Sequence, residues 1–453
     1  MNKTASFFLA SIIFAEIILF SGCSVGKGNN LKILSADGTE LALLDSISDN
    51  FYQSDGNDRR AYIQSVLSES EEIIVDLLAC TQEKARDYLI KNGCVIYTAF
   101  DEKVFESVKS SYEAKGINSL KFGCAVTDLH GGILALYSAG NNEEGYVNYA
   151  TEQTPPYSSF KPLCVYAPAI DKGLATWSSV YPDSPIKKIT EENKQVDWPS
   201  NATGIYANKN IDIAYAIKTS LNTVAVRCMQ TLGVNNSLDF FERSFGLTLE
   251  FEKKKAEAYG EDEVIGNVAL GYLNDGASPA DMAGYYQIFA NGGYYFKPHT
   301  VLKICDKNGN TLYKDGTKPT RIIKSSTAFI MNRLLQNVVS AGGTGEKARC
   351  EGVCVGGKTG TGDHGNWFVG FTPQYTCAVW HGTELVSNNS CEIFSKAVSG
   401  FENKTGMDFP SCDEIEKAAY CRESGMLLGE KCKEVDMGYF ASGNLPEVCD
   451  KHS

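Results

Sequence analysis

The sequence predicts an α+β fold: a five-stranded antiparallel sheet flanked by helices on both faces, with a helical subdomain and a short helical N-terminal region. Three observations carry this. Residues 122–128 and 133–137 read as two strands joined by the turn Leu129-His-Gly-Gly132. Residues 353–357, 367–371 and 376–380 read as three more, with turns at Gly362-Asp-His-Gly365 and Thr372-Pro-Gln374. Between the two groups, residues 159–339 are dominated by helical periodicity, broken at Gly204, Gly233, Gly246, Gly271, Gly276 and Gly292-Gly293. Two strands before a helical block and three after it suggest one sheet whose faces that block covers.

Taken in order, the chain opens on a targeting segment over residues 1–22. Lys3 supplies a positive end, residues 5–20 are apolar except for Ser6, Ser11 and Glu16, and Ser21-Gly22-Cys23 follows. This resembles a bacterial lipoprotein signal in which Cys23 is lipidated. An uncleaved single-span anchor is the competing reading, with Glu16 inside hydrocarbon at a cost of a few kcal/mol. Both readings place the chain from Ser24 onward outside the cytoplasm, attached to the cell membrane. Residues 23–92 form a linker and helical region: Ile63, Val66, Leu67, Ile73, Ile74, Leu77 and Leu78 recur at helical spacing. They hold no recognisable nucleophile. Residues 93–400 make the main domain and 401–453 a cysteine-bearing tail.

A chain of 453 residues supports two or three domains. Its net charge of −13 argues against a general polyanion binder, so no nucleic-acid partner is expected. Fifteen cysteines in an exported chain must be paired or live where thiols survive.

Three short motifs appear in order: Ser158-Ser-Phe-Lys161, Ser220-Leu-Asn222 and Lys358-Thr-Gly-Thr361. Decoys of each occur at Ser184-Pro-Ile-Lys187, Ser387-Asn-Asn389 and Lys404-Thr-Gly406, and context separates them. Pro155-Pro156 precedes Ser158 and an apolar run follows, which puts Ser158 at the first turn of a buried helix with Lys161 stacked beside it. A serine hydroxyl needs a base within reach, and a lysine serves only if burial or a second cation such as Lys358 lowers its pKa. Lys358 ends a predicted apolar strand, whose edge suits an extended peptide.

Together the motifs resemble the penicillin-binding protein and serine β-lactamase superfamily. Gly93-Cys-Val-Ile-Tyr-Thr-Ala-Phe-Asp101, Asn148-Tyr-Ala-Thr151, Phe289-Ala-Asn-Gly-Gly293 and Gly343-Thr-Gly345 resemble the transpeptidase domain of its bifunctional, class A members. The resemblance implies a β-lactamase/transpeptidase-like fold and a peptidoglycan D,D-transpeptidase. In it Ser158 is the acyl-forming nucleophile, Lys161 its base, Ser220 a proton relay and Asn222 a holder of Lys161 and the substrate amide. Lys358, with Thr359, Gly360 and Thr361, grips the carboxylate of a stem peptide ending in D-Ala-D-Ala. The backbone N–H groups of Ser158 and Thr361 form the oxyanion hole. Covalent β-lactam binding follows from the same site. A D,D-carboxypeptidase and a non-catalytic wall-assembly scaffold are the alternatives. The roughly 70 residues between Cys23 and Gly93 are too few for the glycosyltransferase domain of such proteins, so a separate glycan polymerase is the implied partner.

The sequence departs from the family pattern in four places. Tyr157 stands where glycine usually precedes the nucleophile, and Gly362 replaces a small hydroxyl residue. Gly365 stands where an acid is common, and no basic residue lies between Thr151 and Tyr157. His364 reads as a solvated turn residue and Trp367 as core. No cofactor and no metal are expected. Cys421, Cys432, Cys449 and His452 could hold zinc, but their gaps do not match a knuckle spacing, so disulfides or free buried thiols are favoured.

Overall fold

The structure, a computed structural model, describes residues 30–44, 58–116, 121–140, 146–191, 193–383, 389–402 and 406–452. The leader over 1–22 and the lipidation candidate Cys23 lie outside the described residues, as do parts of the decoys at 387–389 and 404–406.

The chain begins with β1 (Leu31–Leu34), β2 (Glu40–Leu44), α1 (Arg60–Leu78), α2 (Gln82–Lys91), β3 (Val95–Thr98), α3 (Glu102–Glu113), β4 (Phe122–Asp128) and β5 (Ile133–Ala139). A 3₁₀ turn at Tyr157–Ser159 and a π-helical turn at Pro162–Tyr166 lead into α4 (Ala167–Asp171). Four short strands follow, β6 (Val180–Pro182), β7 (Lys187–Glu191), β8 (Lys194–Trp198) and β9 (Asn210–Asp212). The helical block comprises α5 (Ile213–Thr219), α6 (Asn222–Leu232), α7 (Val234–Phe245), α8 (Glu250–Tyr259), α9 (Ile265–Leu270) and α10 (Pro279–Ala290). Then come β10 (Tyr294–Tyr295), β11 (Val301–Cys305), β12 (Thr311–Lys314), β13 (Thr320–Arg321) and α11 (Ser325–Val339). The C-terminal part holds β14 (Gly356–Gly362), β15 (Gly365–Phe371), β16 (Tyr375–His381), α12 (Asn389–Phe401), β17 (Ile415–Cys421) and β18 (Val435–Ala441).

The expected sheet is present, in the order β14-β15-β16-β4-β5 with every pair antiparallel. Its two faces are covered by different helices. Thr376 donates to the Ala283 carbonyl of α10 at 2.7 Å, while Phe368 and Phe394 of α12 meet on the opposite face with ring centroids 4.8 Å apart. Thr376 is paired with Phe371, three residues along β15 from Phe368, so the two-residue period of a sheet puts Thr376 and Phe368 on opposite faces. Helix α10 is buried over most of its length and is capped by a Ser278–Asp281 box.

Three expectations change. The strand read at residues 353–357 lies instead at Gly356–Gly362, so the lysine motif sits within the strand rather than at its end. Glycines admit the facing rings there: a Cβ at Gly356 or Gly357 would lie 2.4 or 2.5 Å from Phe371 or Phe368. Hydropathy is blind to such a strand. Secondly, the helical region within 23–92 is two helices, divided where Ala79 turns left-handed at φ 48° and Thr81 caps α2. Thirdly, the N-terminal region is not purely helical. It contributes β1 and β2 to a second five-stranded sheet, in the order β12-β11-β3-β1-β2, with β1 parallel to β3. That pairing crosses residue 93, and β11 and β12 join from residues 301–314. Among the described residues no helix is long and apolar enough to cross a membrane.

Candidate active site

All three motifs meet in one cleft of about 560 Å³, lined by Tyr157, Ser158, Ser200, Ser220, Asn222, Tyr272, Thr344, Thr359 and Thr361 among others. Ser158 sits in the 3₁₀ turn that the two prolines start, rather than in the α-helical first turn expected from sequence. Two hydrogen bonds hold that turn from outside. The Tyr157 N–H donates to Gly271 at 2.9 Å, and the Trp367 indole N–H donates to the Pro155 carbonyl at 3.0 Å. Trp367 is thus core, as read, and also a strut for the nucleophile's turn.

Lys161 is buried, and its Nζ donates to Asn222 Oδ1 at 2.6 Å and to the Ser220 carbonyl at 3.0 Å, with Ser220 Oγ at 3.5 Å. Ser220 presents both oxygens because it caps α5 in the left-handed region at φ 62°, which swings the chain round before α6 begins at Asn222. From the other side, the buried Lys358 Nζ donates to Ser220 Oγ at 2.8 Å and to the Thr359 carbonyl at 3.0 Å. Ser220 Oγ therefore bridges the two lysines. Thr359 Oγ1 donates to Thr344 Oγ1 at 2.9 Å, which ties the strand to the Gly343-Thr-Gly345 loop. At Gly360 a Cβ would lie 2.5 Å from the Pro156 carbonyl oxygen, so β14 runs directly against the nucleophile's turn. Thr361 is exposed on the cleft rim.

The electrostatics follow from burial. Among the described residues no ion pair reaches either ammonium. Desolvation pushes Lys161 well below the ordinary lysine range, and the Lys358 charge adds to the shift. Burial brings Lys358 down to about 7. A neutral Lys161 can accept a proton, and Lys358 can switch charge near neutrality.

One supporting network escaped the sequence reading. Asn201 Oδ1 accepts from the Asn222 N–H at 2.9 Å, and Asn201 Nδ2 donates to the buried Asp183 carboxylate at 2.7 Å. Thr223 Oγ1 donates to the same Asp183 oxygen at 2.6 Å, and the Ala207 N–H to the other at 2.7 Å. Asp183 thus orders the start of α6 from behind. A single loop aspartate carries no signal of this. The decoy Ser184 lies next to it, and its hydroxyl meets Arg227 rather than Lys187.

Two departures noted in the sequence turn out to be one feature. Tyr157 takes φ 49°, a conformation in which glycine is unstrained and another residue pays roughly 1–2 kcal/mol. Its ring lies over Gly362, where a Cβ would come within 2.2 Å of it. Its hydroxyl accepts from the His364 N–H at 3.0 Å, and its ring edge packs on Tyr272 at 5.1 Å. His364 itself is exposed in the turn.

The tail holds free thiols, one of the two states expected, but gathers four groups whose spacing spoke against a shared site. Cys421, Cys432 and Cys449 are free thiols, as are Cys350 and Cys354, and the ligand atoms of Cys421, Cys432, Cys449 and His452 all lie within 4.8 Å of one another. The long sequence gaps are closed by the β17–β18 hairpin, which spacing alone did not reveal.

An antiparallel sheet with a serine turn at its edge and two buried lysines meeting across a serine defines the serine transpeptidase class of fold. Comparison with known proteins agrees. The family model described as the penicillin binding protein transpeptidase domain matches residues 123–403. Penicillin-binding protein 1A of Clostridium acetobutylicum is 32% identical over 345 residues, covering 70% of this chain and 41% of that protein. The solved structure of penicillin-binding protein 1A from Haemophilus influenzae superposes with a TM-score of 0.67 at 17% identity, covering 84% of this chain and 76% of that one. PonA1 from Mycobacterium tuberculosis, solved in complex with penicillin V, gives 0.62 at 20% identity, covering 78% and 96%. This chain belongs to the penicillin-binding protein transpeptidase family. It spans less than half the length of the Clostridium acetobutylicum relative.

Proposed function

We propose that the protein is a peptidoglycan D,D-transpeptidase, attached to the membrane through Cys23 or its leader and working outside the cytoplasm beside a separate glycan polymerase. The observation that carries this is the Lys161–Ser220–Lys358 array bridged through one hydroxyl at the floor of the Ser158 cleft. Neutral Lys161 takes the Ser158 proton as Oγ attacks the carbonyl of a D-Ala-D-Ala stem peptide. The backbone N–H groups of Ser158 and Thr361 receive the oxyanion. Ser220 passes a proton to the leaving D-alanine amine. Charged Lys358, with the hydroxyls of Thr359 and Thr361, holds the terminal carboxylate, and Gly360 lets the strand close on the turn. The amine of a second stem peptide then takes the acyl group from Ser158. A penicillin enters the same path, since its amide is opened by the serine and no leaving group departs. The penicillin V complex of the Mycobacterium tuberculosis neighbour supports that extension.

Among the described residues no carboxylate lines the cleft, which favours an acyl-enzyme that persists over rapid hydrolysis. This supports transfer over the β-lactamase reaction, while a D,D-carboxypeptidase remains the second reading because water needs no acceptor site. Tyr157 and Gly362, the two departures that would favour a non-catalytic scaffold, pack together as one feature beside the nucleophile's turn. The test is incubation with glycan strands bearing pentapeptide stems, followed by muropeptide analysis. Cross-linked dimers with released D-alanine are expected; trimmed monomers alone would assign the carboxypeptidase, and no D-alanine at all would reject both.

The pH profile gives a second check. Lys358 holds its proton below about 7 and loses it above. Its carboxylate grip is therefore present on the acid side and lost as pH rises. The second-order rate of acylation by a penicillin is expected to fall through an alkaline limb centred near 7, read by stopped-flow fluorescence. A profile flat from neutrality upward removes Lys358 from carboxylate binding.

A further inference from the structure

We infer that Cys421, Cys432, Cys449 and His452 form a structural zinc site of the Cys₃His type that pins the C-terminal tail to the back of the active-site helix. Three thiols and one imidazole converge from three chain segments: the end of β17, the loop before β18, and the last turn of the chain. All four ligand atoms lie within 4.8 Å of one another, about 1 Å wider than the ~3.3–3.8 Å edge of a tetrahedral zinc site, a gap that small side-chain rotations close on binding. Cys421 Sγ and His452 Nε2 are 3.1 Å apart.

The surroundings suit thiolates. Cys432 Sγ accepts the Gly429 N–H at 3.3 Å, and Cys449 Sγ accepts the Ser424 hydroxyl at 3.1 Å. Backbone bonds hold the segments together independently of the sulfurs: the Cys449 N–H donates to Leu427 at 2.9 Å and the Cys421 N–H to Met426 at 2.8 Å. Disulfide chemistry fits this set poorly, because three thiols make one bond and strand the third. Zinc uses all four groups. Binding displaces three thiol protons and leaves a site of net charge −1. Glu423 Oε2 lies 3.4 Å from the same His452 nitrogen and is the acid next to the site.

The location gives the site its purpose. Arg422, next to Cys421, pairs through Nε with Asp212 Oδ2 at 3.1 Å. The other Asp212 oxygen accepts the Tyr215 N–H at 2.7 Å and so caps α5, the helix that ends at Ser220. Ser178 donates to the Gly425 carbonyl at 2.5 Å on the same side. A metal-braced tail would hold Arg422 against the base of that helix.

The test uses the full chain, purified under reducing conditions with zinc chloride present. One zinc per chain by elemental mass spectrometry is expected, lost in Cys432→Ser and Cys449→Ser and kept in Cys354→Ser. Cobalt(II) in place of zinc should give the intense visible bands and thiolate charge-transfer absorption of a tetrahedral sulfur-rich site. Stripping zinc from wild type with a chelator should speed proteolytic cleavage within the tail. Because the wild-type readings need no variant to fold, they decide alone. Metal-free protein with a disulfide among the three cysteines, or octahedral cobalt spectra, overturns the proposal. A failure here leaves penicillin labelling of Ser158 untouched, so it is distinguishable from a failure of the transpeptidase reading.

Discussion

Replacing Ser158 with alanine will leave no covalent adduct with a fluorescent penicillin, and Lys161→Met will keep the serine but slow adduct formation by about 10²–10⁴-fold. Both follow from the distribution of protons in the cleft. Ser220 Oγ also meets the lysines, but it is occupied as the acceptor between them, which leaves Ser158 as the hydroxyl free to attack. Methionine matches the volume of the lysine stem, so the packing at a residue only 1% exposed is retained while the amine is lost. The Asn222 amide oxygen, 2.6 Å from Nζ, then loses its donor, and part of the slowing will come from that loss. Denaturing gels after timed labelling read both variants. Equal labelling of Ser158→Ala, or a Lys161→Met rate within a fewfold of wild type, rejects the assignment of nucleophile or base.

The second large effect lies at Gly362. Gly362→Ser, the change toward the family's usual residue, will destabilise this protein by about 2 kcal/mol, because the new Cβ meets the Tyr157 ring at 2.2 Å. In a chain of this size that lowers Tm by about 2 °C. Tyr157→Gly alone will also destabilise: it relieves the φ 49° backbone but empties a packed position and removes the hydroxyl that receives the His364 N–H. The double variant Tyr157→Gly with Gly362→Ser will be more stable than the sum of the two changes by roughly 1–2 kcal/mol, the signature of residues in contact. Thermal denaturation of the four proteins closes the cycle. Strict additivity would show that the two positions act separately and that the collision is relieved elsewhere.

Much of this was legible in the sequence, for physical reasons that differ by element. Strands β4, β5, β15 and β16 carry dense apolar and β-branched residues between turn residues, so they were placed closely. Strand β14 was shifted because Gly356-Gly-Lys-Thr-Gly-Thr-Gly362 has almost no side-chain hydropathy, and its pairing comes from the rings that fill its glycine gaps. The second sheet went unread because β1 and β3 are four residues each and find each other across two helices. Sequence order does not express that kind of pairing. In the site, Ser158, Lys161, Ser220, Asn222 and Lys358 converge as their motifs implied. Asp183 and Asn201 act only through a fold that brings two loops behind Asn222. The tail cysteines illustrate the same limit: their spacing spoke against a shared site until a hairpin folded the spacing away.

The stacking of Tyr157 on Gly362 also bears on descent. If glycine before the nucleophile and a small hydroxyl residue after the lysine motif were the starting state, the two substitutions were not interchangeable in time. A tyrosine arriving first would have met a side chain already occupying its place. A glycine arriving first at 362 would have met nothing, and would have left a hollow beside the nucleophile's turn for a ring to fill. The order glycine, then tyrosine, avoids an intermediate with a collision in its active site, and once the ring is seated a side chain cannot return at 362 without meeting it.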